Sequence, residues 1–95
     1  MKDREGKKEK LKKEVEELNR SLRRANTPNQ LYYVFKRYKS VTEQYSDIIG
    51  EYFNEGDDYI ETDIESAMKS KKGKRSDAFI RASNDLSRLI HEIPV

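Results

Sequence analysis

The chain has 95 residues, 40% of them charged and 34% hydrophobic, and its formal net charge is +2. A chain of this length forms one small hydrophobic core, which excludes a division into two domains. It has no cysteine, so disulfides and thiolate zinc sites are excluded. The longest apolar run, Leu31 to Phe35, is far too short for a membrane span. Because the N-terminal segment has no apolar signal core, we expect a cytoplasmic protein.

The first predicted helix covers about residues 7–26 and is strongly polar. Its apolar residues recur at steps of four and three, a narrow stripe typical of a coiled-coil seam. They are Leu11, Val15, Leu18, Leu22 and Ala25. Lysines in the first turns oppose the helix dipole, so we predict a frayed basic terminus over residues 1–8 and a single helical domain over residues 9–95. This helix needs an apolar surface from the other helices or from a second chain.

A helix boundary is predicted at Thr27. The Thr27 hydroxyl is suited to cap the next helix, Pro28 fits the first helical position, and Gln30 completes a capping box. The second predicted helix covers about residues 28–54, because apolar residues there repeat with heptad spacing. Its stripe consists of Leu31, Val34, Tyr38, Val41, Tyr45, Ile48 and Tyr52, widened by Phe35, Ile49 and Phe53.

Two further helices are predicted over about residues 58–72 and 76–93. Gly73 and Ser76 give a stop and a new cap between them. One long helix bent at Gly73 is also compatible with the pattern, since an isolated glycine costs only about 1 kcal/mol. The amphipathic patterns predict an all-α fold, a small antiparallel helical bundle or long helical hairpin of three to four amphipathic helices.

The charges of the third helix are arranged in two blocks. Residues 54–68 hold six acids and no base, and residues 69–81 hold six bases and one acid. This reversal complements the helix dipole, so the acidic half requires no ligand. Asp57, Glu61 and Glu65 share a helix face, but their order does not match a calcium loop, and we expect no bound metal.

The basic half exceeds what one helix end requires, and basic residues near aromatic ones are typical of nucleic-acid binding. The candidate residues for contact with nucleic acid or an acidic partner are Tyr32, Tyr33, Lys36, Arg37, Lys39, Lys71, Lys72, Lys74 and Arg75. A purely structural interpretation remains open, in which Tyr32 borders the core and Tyr33 stacks on Arg37.

Catalytic chemistry has little support in the sequence. There is one histidine, His91, which lies outside the apolar stripe of the fourth helix, and there is no Gly-rich phosphate loop. The usual sets of acid, base and nucleophile cannot be assembled from these residues. We therefore expect no catalytic residue, no cofactor and no small-molecule substrate.

These observations favour a non-enzymatic protein–protein interaction module that self-associates or docks on a partner's helices. If a homo-oligomer forms, the residues expected at its interface are Leu11, Val15, Leu18 and Leu22. The alternative is a nucleic-acid-binding regulatory or accessory protein that uses the basic residues of helix two and of the 69–75 loop. A carrier, secretion-partner or immunity role rests on fold analogy alone.

Overall fold

The computed structural model describes residues 2–50, 57–72 and 75–94. Within these residues there are five α-helices and no strand. They are α1 (Lys2–Arg24), α2 (Pro28–Gln44), α3 (Ser46–Ile49), α4 (Asp57–Lys69) and α5 (Asp77–Glu92). The predicted all-α fold, a small helical bundle, is confirmed.

The helices α1 and α2 form an antiparallel hairpin. Lys7, near the start of α1, donates to Asp47 beyond the end of α2 at 3.0 Å, and Arg37 of α2 donates to Glu17 of α1 at 2.8 Å. The helix α1 begins at Lys2, so residues 2–8 of the segment predicted to be frayed are helical. Contacts of Lys7 with Asp47 and with the Tyr45 ring, 5.8 Å from its centroid, help hold these first turns in place.

The predicted capping box between α1 and α2 is confirmed. The Gln30 amide donates to the Thr27 hydroxyl at 3.2 Å, and the Gln30 side-chain oxygen accepts from the Thr27 amide at 3.3 Å. The same oxygen accepts from the Asn26 amide at 2.8 Å. Three backbone donors at the turn are therefore satisfied by two side chains.

The predicted end of the second helix, at about residue 54, is wrong. The helix α2 ends at Gln44, and α3 follows after a single non-helical residue, Tyr45. The hydroxyl of Thr42 donates to the Lys39 carbonyl at 2.8 Å, a type of bond that bends helices. Gly50 then adopts φ 97° and ψ 152°, a conformation essentially restricted to glycine, which ends α3. The predicted stripe residues Tyr52 and Phe53 lie outside the described residues.

The helices α4 and α5 are separate and pack against each other, so the alternative of one long helix bent at Gly73 is wrong. Arg81 near the start of α5 donates to Asp63 of α4 at 3.3 Å, as expected for a tight hairpin. The predicted cap is confirmed, because the Ser76 hydroxyl accepts from the Phe79 amide at 3.1 Å. Gly73 and Lys74 lie outside the described residues.

One hydrophobic cluster joins all five helices. Its largest fully buried side chains are Tyr38, Phe35, Leu11, Leu18, Leu31, Ile60, Ile64, Leu86 and Ile90. The narrow apolar stripe of α1 is thereby covered by the rest of the chain, which supplies the surface that the helix lacks alone. In the described part of the chain, none of the helices combines the length and the hydrophobicity of a membrane span.

Candidate interaction site

The stripe predicted for self-association lies inside the single chain. Leu11, Val15, Leu18 and Leu22 all belong to the hydrophobic core, and none is more than 8% exposed. They could meet a second chain only if the bundle opened. A surface for a partner in the folded state therefore has to be sought elsewhere.

The basic residues of α2 are already engaged. Arg37 contacts two carboxylates of α1, that of Glu17 at 2.8 Å and that of Glu14 at 3.5 Å. The Lys36 ammonium lies 5.0 Å from the centroid of the half-buried Tyr32 ring, and that of Lys39 lies 5.7 Å from the Phe35 centroid. In the sequence analysis Arg37 was predicted to stack on the Tyr33 ring. In the described residues its guanidinium instead pairs with the carboxylates of Glu14 and Glu17.

The second predicted basic group follows α4. Lys71, Lys72 and Arg75 are exposed, whereas Lys74 lies outside the described residues. Across the described residues, no hydrogen bond or ion pair joins this loop to the basic residues of α2. The two predicted groups lie on different elements, α2 and the loop after α4.

A groove lies where the end of α1 meets the start of α2, with a volume of about 230 Å³. We call it the Tyr33 groove, and it is lined by Ser21, Arg24, Ala25, Gln30, Tyr33 and Val34. Tyr33 is 65% exposed, although it is one of the largest apolar side chains of the protein. Val34 is buried and Ala25 packs against the core, so the groove has an apolar floor continuous with the interior.

The rim of the groove is basic. Arg24 lines it, and Arg20 lies one turn before Arg24 on α1, whereas Arg23 lines a separate depression between α1 and α5. Within residues 2–50, 57–72 and 75–94, none of these three arginines has a carboxylate partner. Arg23 and Arg24 complement the helix dipole, but a guanidinium beside an apolar floor also matches a ligand with an apolar group and a nearby carboxylate.

Sequence reasoning identified Tyr33 but did not place Ser21, Arg24 and Ala25 beside it. A usable signal was present in the short turn before α2. In an antiparallel hairpin with a tight turn, the first two turns of the second helix face the last two turns of the first. A residue that lies just after the cap and off the apolar stripe, as Tyr33 does, therefore borders the end of α1.

A second depression of about 230 Å³ lies between α1 and α5, lined by Asn19, Leu22, Arg23, Ser87 and His91. His91 donates from Nδ1 to the Ser87 carbonyl at 2.8 Å, which ties its ring to its own helix. Within the described part of the chain, no group of three histidine, cysteine or acidic side chains is placed to hold a metal ion. Arg23 and His91 lie where basic residues complement helix C-termini.

The acidic helix α4 carries the most exposed aromatic side chain of the described residues. Tyr59 is 77% exposed in the first turn of α4. Asp63, one turn later, is held by Arg81 at 3.3 Å. Among the tyrosines that the structure describes, the two exposed ones, Tyr33 and Tyr59, thus lie on surfaces of opposite charge.

A scan against protein-family models, a search of curated proteins and a search of solved structures each found no match to this chain.

Proposed function

We propose that this protein is a non-enzymatic protein–protein interaction module that binds its partner at the Tyr33 groove. The observation that carries the proposal is an exposed aromatic ring beside an apolar floor and an arginine without an ion-pair partner among the described residues. The expected partner segment inserts an apolar side chain into the groove and places a carboxylate against Arg24.

The residue types of the groove suit such a role. Tyrosine and arginine are enriched among the residues that dominate binding energy at protein interfaces. Burial of the Tyr33 ring removes apolar surface from water, while its hydroxyl can keep a polar partner. Arg24 can form a bidentate pair with a carboxylate, which adds orientation to the apolar contact.

Nucleic-acid binding remains the second candidate, because Lys71, Lys72 and Arg75 form an exposed basic loop. It is less well supported than the interaction module. A phosphate approaching Arg37 has to compete with Glu14 and Glu17, and the six acids of residues 54–68 repel a polyanion nearby.

Selection from a random-peptide phage library on the immobilised protein tests the proposal. We expect enriched peptides to carry an aromatic or large aliphatic residue next to Asp or Glu. Arg24→Glu and Tyr33→Ser should each weaken their binding by about tenfold or more. Lys8→Glu is the matched control for Arg24→Glu, because Lys8 is an exposed base at the other end of α1. No enrichment, or peptides that bind Arg24→Glu and Tyr33→Ser as tightly as the wild type, would contradict the proposal.

The competing function is measured with a fluorescent single-stranded oligonucleotide at low and moderate salt. Binding through phosphates should weaken with salt, with a log–log slope of about 0.7 per contact. Substitution of Lys71 and Lys72 by Glu should then abolish it. Binding with these properties, together with a failed peptide selection, would favour the nucleic-acid candidate.

A further inference from the structure

The chain itself contains a segment with the chemistry that the Tyr33 groove requires. Tyr59 is the most exposed large apolar side chain of the described residues, at 77%. The stretch from residue 57 to 65 around it holds five acids and no base. An exposed ring on an acidic helix complements an exposed groove with a basic rim.

The surface around Tyr59 is exposed to solvent. Thr62 and Ser66 follow Tyr59 at helical spacings of three and seven residues, and both are exposed. Neither side chain carries a charge that would repel Arg24. Asp63, four residues after Tyr59, is paired with Arg81 at 3.3 Å, so the charge of its carboxylate is already offset.

Building on the proposed function, we propose that the occupant of the Tyr33 groove is a second copy of this chain. The Tyr59 ring of one copy would enter the groove of the next, and the acidic surface of α4 would face Arg20 and Arg24. Charge complementarity supports this choice of occupant, because Arg20 and Arg24 on α1 and Glu61 and Glu65 on α4 are opposite in sign, and none of the four has an ion-pair partner among the described residues.

Such contacts would be head to tail, because the two surfaces lie on different helices and differ from each other. A contact between unlike surfaces closes into a ring or continues as an open chain, whereas a two-fold dimer uses the same patch twice. In an open chain, the copy at one end keeps an unused groove and the copy at the other end keeps an unused Tyr59. Assembly should therefore grow beyond a dimer as the protein concentration rises, and added salt should reduce it.

Sedimentation velocity of the full chain tests this assembly. The wild type should shift to larger species with increasing concentration. Tyr59→Ser and Arg24→Glu, each of which damages one of the two surfaces, should each raise the apparent dissociation constant by about tenfold or more. Tyr59→Phe, which keeps the ring, should assemble like the wild type. Ser66→Arg adds a base to the α4 surface, which would face Arg24. This second variant of the α4 surface should also raise the apparent dissociation constant.

Mixing the two damaged variants gives the sharpest result. Tyr59→Ser keeps its groove and Arg24→Glu keeps its α4 surface, so an equal mixture should form a one-to-one dimer that neither variant forms alone. Failure of the mixture to dimerise, although the wild type assembles, would overturn the head-to-tail geometry. Circular dichroism of each variant checks that the helices remain.

The outcome separates this inference from the proposed function. A wild type that stays monomeric at all concentrations, while the groove still selects acidic apolar peptides, would overturn self-assembly and leave the interaction module standing. Assembly that persists unchanged in both Tyr59→Ser and Arg24→Glu would overturn the assigned surfaces. A wild-type protein that neither selects acidic apolar peptides nor assembles would overturn both proposals.

Discussion

Two regions of the α1–α2 hairpin contain the same kinds of residue in opposite environments. In the middle of the hairpin, Tyr38 is fully buried against the core and Arg37 is held by two carboxylates of α1. At its turn end, Tyr33 is 65% exposed and Arg24 has no described carboxylate partner. The middle of the hairpin packs or pairs its aromatic and basic side chains, and the end leaves them exposed.

The difference arises from helical phase. Tyr38 is seven residues after Leu31, so both lie on the apolar stripe, whereas Tyr33 is two residues after Leu31 and projects away from it. Arg37 meets α1 because the antiparallel helices cross there at the level of Glu14 and Glu17. Residue type alone therefore does not decide between a structural and a binding role.

The largest effect is expected for Leu18→Asp, which places a carboxylate in the middle of the hairpin at a fully buried position. A buried charge without a partner is among the most destabilising changes, and we expect a loss of about 5 kcal/mol or more. This approaches the whole stability of a small domain. Urea denaturation followed by circular dichroism measures it, with Leu18→Met as the control, for which less than about 1.5 kcal/mol is expected. A folded Leu18→Asp protein would contradict the burial of the stripe.

Gly50→Ala should lower the free energy of unfolding by about 1 to 3 kcal/mol. A residue with a Cβ is strained at φ 97° and ψ 152°, so the end of α3 would have to change. Gly6→Ala is the control, because Gly6 is exposed within α1 and has open space around it, and it should be neutral or stabilising by about 1 kcal/mol. Thermal unfolding compares the two. Equal stability of both variants would mean that Gly50 is not needed to end the helix.

Arg37→Met should have a smaller effect, of about 1 kcal/mol or less. The ion pairs with Glu14 and Glu17 are partly exposed, and such pairs contribute little. The methionine keeps much of the aliphatic contact, so the change isolates the charge. Repeating the measurement in the background of Glu17→Gln gives the coupling energy, which should shrink at high salt. A loss of several kcal/mol would place Arg37 among the buried, structural charges.

Tyr33→Ser should change the free energy of unfolding by no more than about 0.5 kcal/mol, since the side chain lies on the surface. The same substitution is expected to weaken peptide selection at the groove. This contrast between stability and binding is the clearest test of the distinction between the two regions. A Tyr33→Ser protein that unfolds at a much lower urea concentration than the wild type would show that the ring is part of the core.

The periodic residues predicted most of the fold. The stripe of α1 and the caps at Thr27 and Ser76 are local patterns, and they lie in the structure where local physics places them. The break after Gln44 was missed because the apolar stripe continues through Ile48 and Ile49, and periodicity does not report a bend. Gly50 was the available signal for the end of α3 at Ile49.

The candidate site was less predictable than the fold. The engagement of Arg37 by Glu14 and Glu17 joins residues 23 and 20 positions apart, so only the antiparallel arrangement of α1 and α2 reveals it. The groove has the same origin, because Arg24 and Tyr33 belong to different helices. A single sequence shows which residues are apolar or charged, but not which of them meet across a turn.

The carboxamide of Gln30 takes part in two structures at once. Its oxygen holds the amides of Asn26 and Thr27, and the same side chain forms one wall of the recess beside Tyr33. One side of the recess is therefore a turn that is already held by hydrogen bonds, which would reduce the entropy lost when a partner binds there. Replacement of Gln30 would remove the hydrogen bonds of the turn and change the shape of the recess at the same time. The stability of the turn and the shape of the recess are therefore coupled through one residue.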